Sequence, residues 1–487
     1  MSQVKVGISS GALQGTYLAR HPVHDPLEAV VCAFESGSTR VAMIGLDLVQ
    51  LSVGFCTRVR RRVAQRCQLA PEAVITHCTH THTSPGQNEL LEDGLADCLA
   101  GLVNDAFCSA EPVRMAYRQV DTGRRYNVNR RRPMPRGLGS LTMWLGFDDH
   151  QGDPDGGPVN RARLEHWLGR PVGEPDFQGP MIYNGPTDGL LQAVFFQTLS
   201  GRPIGSIVRY SAHPCIAGHT AQRQYSADFP GVVRRRMAEA FGGTCCFLTG
   251  PCGNLAPWEQ GRWPQPKFPE NDLQTSVPWF PHQEANACHL EVRRIGDGLA
   301  ETLIRERLED AEFTAAEDLK FSSEQVSLPL RNDLVANGDE ALRRAAILKE
   351  EFLRIRHAES LSELKQLADK ISFLEHHRAF YEEYHYLDSR SGEAQAVHVS
   401  TPLVRLNSLL LMGLPGEVFW QTAQSASQAA RSRRMNLISF TEANGDIGYI
   451  PTESERSEGD YECNCCIVAD GAEARLAGSA RVMVQRI

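Results

Sequence analysis

Over its first 120 or so residues the chain alternates two hydrophobic patterns, and no other feature of the sequence constrains its fold as strongly. Runs at 27–34 and 40–46 are apolar and rich in β-branched residues, joined by the turn composition Glu35-Ser36-Gly37-Ser38. Helical spacing follows at 53–69, a short buried-strand pattern at 73–76, and a second helical stretch at 90–107. Such alternation predicts an α/β protein, with mixed β-sheets flanked by helices. A second unit is predicted from strand-like 204–210, helix-like 231–241 and strand-like 245–248. Residues 121–190 and 255–284 interrupt the pattern with Arg, Pro, Gly and Trp, the composition of long irregular loops that wall a functional site. Residues 339–387 carry Glu, Lys, Arg and Leu at helical spacing, which predicts an inserted helical hairpin with a structural or dimerising role. An apolar strand is expected over 403–414 and a closing segment over 472–482. Without internal repeats or a low-complexity linker, one composite catalytic body over 1–487 is the expectation.

The formal net charge of −9 argues against nucleic acid, whose phosphates require a basic face. Arginine runs at 58–62 and 234–236 lie in amphipathic helical patterns and read as solvated faces. No stretch approaches the roughly 20 apolar residues of a membrane span, and Met-Ser-Gln-Val-Lys-Val-Gly has no apolar signal core. A cytoplasmic location is the resulting expectation. Fourteen cysteines in a chain of this length read as reduced thiols rather than a disulfide framework. Cys463, Cys465 and Cys466 are thiolate-rich, but no Cys/His pair at finger-like spacing accompanies them, so buried or redox thiols are preferred to a structural zinc.

Five short segments carry chemistry. His77-Cys78-Thr79-His80-Thr81-His82 follows a buried-strand pattern. If that strand continues, His80 and His82 share a face, which suits a metal ligand beside an acid/base group. Ser211-Ala212-His213-Pro214 ends another apolar strand, the proline holding His213 extended. Asp228, a little further on, reads either as a helix cap or as a carboxylate orienting an imidazole. Gly250-Pro251-Cys252-Gly253-Asn254-Leu255-Ala256-Pro257 is a tight turn whose glycines would let backbone amides approach a substrate. Leu414-Pro415-Gly416-Glu417 projects an acid from a strand end, and Gly448-Tyr449 places an aromatic after a flexible turn. Taken alone, Glu417 reads as a helix-start carboxylate and Tyr449 as a packed loop aromatic.

Together and in this order the segments resemble the catalytic domain of the neutral/alkaline (non-lysosomal) ceramidase superfamily, over nearly the whole chain. His24-Asp25-Pro26-Leu27, Gly45-Leu46-Asp47-Leu48 and Asn127-Val128-Asn129-Arg130 extend the resemblance. What the resemblance implies is a zinc ion held by His80, His213, Glu417 and Tyr449, with His82, Arg130 and Tyr449 catalytic. It further implies substrate contacts at Gly253 and Asn254, with His24 and Asp228 supporting the ligands. Ala256 stands where the family carries serine in this turn, so a metal-activated water is expected to attack, without a serine nucleophile. The chain stops near the end of the catalytic domain, so the family's C-terminal β-sandwich is not expected. The implied reaction is hydrolysis of an amide (N-acyl) bond in a small or amphipathic substrate other than ceramide. Ester hydrolysis and a non-catalytic zinc-binding homologue stand as alternatives. Loop aromatics Trp144, Trp167, Trp258, Trp263, Trp279 and Phe280 would either meet such a substrate or pack the loops down. A homo-oligomer is compatible with all of this.

Overall fold

Two β-sheets lie face to face between outer layers of helices. The computed structural model describes residues 3–133, 139–142, 185–218, 223–258, 285–306, 312–334, 338–355, 361–384 and 396–487. The larger sheet contains β1 (Lys5–Ala12), β2 (Glu28–Ser36), β3 (Thr39–Leu46), β4 (Val74–Cys78), β5 (Glu111–Asp121), β6 (Leu190–Thr198), β7 (Pro203–Tyr210) and β8 (Thr244–Thr249). Its order is β8-β7-β6-β5-β1-β2-β3-β4, and the short strand Thr314–Ala315 adds to β5. The second sheet is β9 (Leu319–Pro329), β10 (Ala396–Leu406), β11 (Leu409–Gly413) and β12 (Asn436–Phe440), in that order. Only the pairs β3–β4, β7–β8 and β11–β12 of these sheets run parallel.

The expected alternation is present as α/β structure, with the helices Val53–Cys67 and Glu92–Cys108 on either side of β4 in sequence. Strands such as β2 and β3 are buried on both faces, which is why they read as nearly continuous apolar runs. One face packs those two helices through Val59, Val63, Leu95 and Leu99. Val30, Phe34, Met43 and Ile75 on the opposite face meet Val404, Leu411 and Ile438 of the second sheet. Helices Gln424–Ser432 and Ala472–Arg486 cover the far side of the second sheet. The helices Gly338–Ile355 and Leu361–Tyr384 pack together, matching the expected hairpin.

The expected strand at 403–414 is divided. Leu403–Leu406 pairs with Leu409–Met412 in a hairpin closed by Asn407 and Ser408. Asn407 has φ 51°, and its side-chain oxygen accepts from the backbone N–H groups of Glu317 and Asp318 at 3.0 and 3.1 Å. A residue that tolerates the left-handed region makes the reversal, at the polar Asn407-Ser408 pair that interrupts the apolar run. Each arginine run lies on a solvated face except for one member. Arg60 is buried and donates to Val74 O at 2.6 Å, and Arg234 is buried against Asp47. Of the irregular stretches, 121–133, 139–142 and 185–190 are described, including short ladders of Asn127–Asn129 with Leu255–Pro257 and of Arg131–Pro133 with Ser140–Thr142. The remainder of 121–190, and 259–284, lie outside the described residues.

The larger sheet curls until its two ends approach. Gly45 in β3 sits so close to β8 that an added Cβ would meet the Cys246 sulfur at 3.3 Å and His77 Nε2 at 2.8 Å. This curvature brings the carboxyl end of β4 beside those of β7 and β8. Hydrogen bonds then join them to the second sheet: Asn444 N–H donates to Thr76 O at 2.8 Å, and Thr441 N–H to Thr249 O at 2.9 Å. Ligand sites in α/β folds gather where parallel strand ends leave such a crevice.

Candidate metal centre

The ends of β4 and β7 deliver imidazoles to a common space, and the turn after β8 delivers backbone carbonyls. His80 follows β4, but the strand stops at Cys78 and does not carry His80 and His82 as alternating strand residues. The chain turns instead, with His80 at φ 66° and its N–H donating to Leu48 O at 3.0 Å. A non-glycine residue held there stores strain that the surrounding contacts must sustain. The turn still brings the His80 and His82 rings to 5.0 Å between centroids. His213 follows β7, with its ring 4.9 Å from that of His80. His80, His82 and His213 each offer a ring nitrogen within 4.8 Å of the others.

Glu417 enters from the second sheet. Its Oε2 lies 2.9 Å from His213 Nε2 and 3.3 Å from His80 Nε2. On the far side of each ring, Nδ1 meets a backbone carbonyl: Val49 O at 2.8 Å for His80 and Leu255 O at 2.8 Å for His213. A carbonyl only accepts, so each Nδ1 carries a proton, and whenever the ring is neutral its Nε2 is the atom left with the lone pair. His80 Nε2 is buried without a hydrogen-bond partner, facing an oxygen that also only accepts. With both rings neutral, two Nε2 lone pairs and a carboxylate face one another, an arrangement that a cation between them satisfies. Donors about 2.0–2.1 Å from a tetrahedral zinc are roughly 3.3 Å apart; the His80 separation matches that spacing, and the His213 separation is shorter. The donor set fits zinc.

Titration reflects the same crowding. Burial works against a charged His80, but the neighbouring Glu417 carboxylate raises its pKa. His213 is pushed down to about 4, first by burial and then by the Arg130 charge. Burial likewise opposes the Glu417 charge, yet the two imidazoles hold its carboxyl well below the ordinary range. His82 keeps an exposed edge. The protein packed around the rest of its ring, then His80 and His213, hold it well below its ordinary value.

Arg130 and Tyr449 complete the wall. The Asn127–Asn129 ladder carries Arg130 to the turn after β8, where its N–H donates to Asn254 O at 3.0 Å. Its guanidinium, buried, donates to Gly253 O at 2.8 Å, to Tyr449 Oη at 3.0 Å and to Glu462 Oε1 at 2.8 Å. Tyr449 is the register partner of Glu417 in a two-strand parallel ladder, Glu417–Val418 with Tyr449–Ile450. Burial and the Glu417 charge push the Tyr449 phenol well up.

The glycine turn serves the protein's own chain. Gly253 N–H donates to Val418 O at 3.0 Å, and an added Cβ would meet Glu417 O at 2.4 Å. Asn254 is fully buried, donating to Gln421 Oε1 at 2.9 Å and Glu455 Oε1 at 3.2 Å. Ala256 is buried within its ladder. The Asp228 carboxylate accepts from the N–H groups of Ala217 and Phe229 at 2.8 and 2.7 Å. It therefore fixes the segment after His213 through backbone. His24 is exposed and stacks on His289 at 3.5 Å, apart from the groups that meet the two imidazoles. Trp258 is half-buried beside Tyr126, and the other five loop aromatics lie outside the described residues.

Glu462 was hidden from sequence reasoning beside the more conspicuous cysteines, and so was Glu442, a buried acid in the loop after β12. Cys463, Cys465 and Cys466 are buried, with Cys463 and Cys466 bonding to backbone carbonyls.

Over its full length the chain superposes on a neutral ceramidase from Pseudomonas aeruginosa, with a TM-score of 0.64, 14% identity and 75% of that chain covered. The fold is that of the neutral ceramidases. A second solved structure, a ceramidase complexed with C2, gives a TM-score of 0.62 at 13% identity, covering all of this chain and 75% of the other. No protein-family model matches the sequence. No curated protein matches it either. Among the described residues of this ceramidase-like chain, no helix is long and apolar enough to cross a membrane.

Proposed function

We propose that the chain is a zinc-dependent hydrolase of amide (N-acyl) bonds, acting on a small or amphipathic substrate. The observation that carries this reading is the convergence of His80 Nε2, His213 Nε2 and Glu417 Oε2, with both Nδ1 atoms tied back to carbonyls. His80, His213, Glu417 and Tyr449 would hold the zinc. When bound, zinc polarises a carbonyl and lowers the pKa of water toward neutrality. The ceramidase-like fold supports amide cleavage as the reaction class.

The remaining work falls to side chains of this protein. His82, exposed on one edge and depressed in pKa, is neutral near pH 7 and suited to pass a proton toward a leaving amine. Arg130 keeps a fixed positive charge beside the Tyr449 hydroxyl, and both would stabilise negative charge developing on the substrate oxygen. Ala256 offers no hydroxyl, so this reading assigns no nucleophile to the protein.

Elemental analysis of purified protein beside His80→Ala and Glu417→Ala, with an N-acyl amide panel on the same samples, tests the reading. One zinc per chain, lost in both variants together with hydrolysis, is expected. Full zinc retention in both would overturn the ligand set.

A further inference from the structure

Next to the imidazole pair is a second cluster made only of acids. Glu417, Glu442 and Asp446 each offer a carboxylate oxygen, and the three oxygens lie within 4.8 Å of one another. Their residues are 7%, 2% and 0% exposed, respectively. Three such groups cannot all keep their charge in a dry interior unless something positive joins them.

Glu442 makes the case specific. Both of its oxygens are buried without a hydrogen-bond partner. The one described ion contact is His80 Nδ1, 3.9 Å from Oε1, and that nitrogen already donates to Val49 O. The Glu442 backbone is fixed, with φ 55° and its N–H donating to Gly416 O at 3.2 Å. Asp446 is equally fixed, its N–H donating to Leu51 O at 2.7 Å and its Oδ1 accepting from Gly448 N–H at 2.7 Å. The side chain that aims unsatisfied oxygens into the cluster is therefore held in place.

We propose that Glu417, Glu442 and Asp446 form a second cation site, for an oxygen-liganded divalent ion of the Ca²⁺, Mg²⁺ or Mn²⁺ class. A donor set of carboxylates alone selects hard cations, whereas imidazole nitrogens beside it suit zinc. Glu417 belongs to both sets and would bridge two ions, the arrangement of two-metal hydrolytic centres. This inference touches the zinc reading through that shared carboxylate and through His80, which adjoins Glu442.

The test uses the full chain, stripped with chelator, loaded with one equivalent of zinc, and titrated with Mn²⁺ by equilibrium dialysis and electron paramagnetic resonance. Wild type is expected to bind one Mn²⁺ in addition to its zinc. Glu442→Gln keeps the side-chain shape and removes one buried charge, and it should keep zinc while Mn²⁺ binding weakens at least tenfold. Asp446→Asn should do the same, should the first variant fold poorly by circular dichroism. His213→Ala should lose zinc and keep Mn²⁺. A wild-type chain that takes up no Mn²⁺ beyond its zinc, or a folded Glu442→Gln that binds Mn²⁺ as wild type does, overturns the second site and leaves the zinc reading intact. Mn²⁺ bound by wild type and lost in Glu442→Gln, in a chain that never takes zinc, would sustain the second site and overturn the zinc reading.

Discussion

Arg130 donates to Glu462 at 2.8 Å across 332 positions of sequence, in a place where both side chains are shut off from water. Glu462 Oε2 also accepts from Arg131 at 2.9 Å and from the Thr142 hydroxyl at 2.7 Å, so one buried acid anchors two arginines. The pairing fixes where the Arg130 guanidinium points, and hence what it presents to Tyr449.

Arg130→Ala should therefore lower kcat by roughly 10²–10³ if the guanidinium stabilises developing negative charge. KM and zinc content should change little. Glu462→Gln should give a smaller loss of the same kind, since it loosens the arginine without removing it. Steady-state kinetics beside elemental analysis separates the two effects.

Gly253→Ala tests the turn through the metal rather than through substrate. Its Cβ would collide with Glu417 O, so the strand that carries Glu417 must shift. The expected outcome is weaker zinc binding with the fold preserved, measured by competition with a chromogenic chelator. Unchanged affinity would show that the turn yields instead.

The buried pair of Arg234 and Asp47 should matter for stability alone. Arg234 donates from both terminal nitrogens to Asp47, at 2.7 and 2.5 Å. Removing one partner of such a pair leaves a buried charge uncompensated and costs about 3–5 kcal/mol. Arg234→Met should lower the urea midpoint accordingly, with zinc stoichiometry retained in the folded fraction. Asp47→Asn should do the same.

Zinc affinity should depend on pH through His80 and not His213. The His80 pKa is raised in the folded, metal-free chain. Stability from its charged form is thus complete below the unfolded value of about 6.5 and is lost as pH rises through the raised folded value. His213 behaves oppositely: it stays neutral down to about 4, so the folded state is disfavoured as pH falls from about 6.5 toward that point. Between the two folded values zinc must displace one imidazole proton, from His80. Affinity should fall about tenfold for each pH unit lowered there, and calorimetry in buffers of different ionisation enthalpy should find close to one imidazole proton released per ion.

What the sequence disclosed follows from where burial is one-dimensional. Strands such as β2 and β3 are largely apolar on both faces, so their runs can be recognised without knowing their neighbours. His80 and His82 stand out because three histidines in six residues are conspicuous in any context. Asn407 shows a weaker signal: Asn407-Ser408 is a turn pair too short to outweigh the leucines around it, and its φ and three backbone contacts show the reversal. Glu442 and Glu462 look like surface acids in sequence, and become interior only when the two sheets dock. Val49 and Leu255, which orient the imidazoles, act through carbonyls and leave no side-chain trace at all.

The curl of the larger sheet has a consequence for how the chain holds together. His80 and His213 hang from opposite ends of one sheet, while Glu417 hangs from the other. An ion between them would act as a rivet through three separate edges. Unfolding either sheet would release it, so free zinc at a hundred times its dissociation constant would add about 2.7 kcal/mol of resistance to unfolding. Chelation should then be felt as a lower melting temperature throughout the molecule, with protease cutting both sheets together rather than loosening one loop.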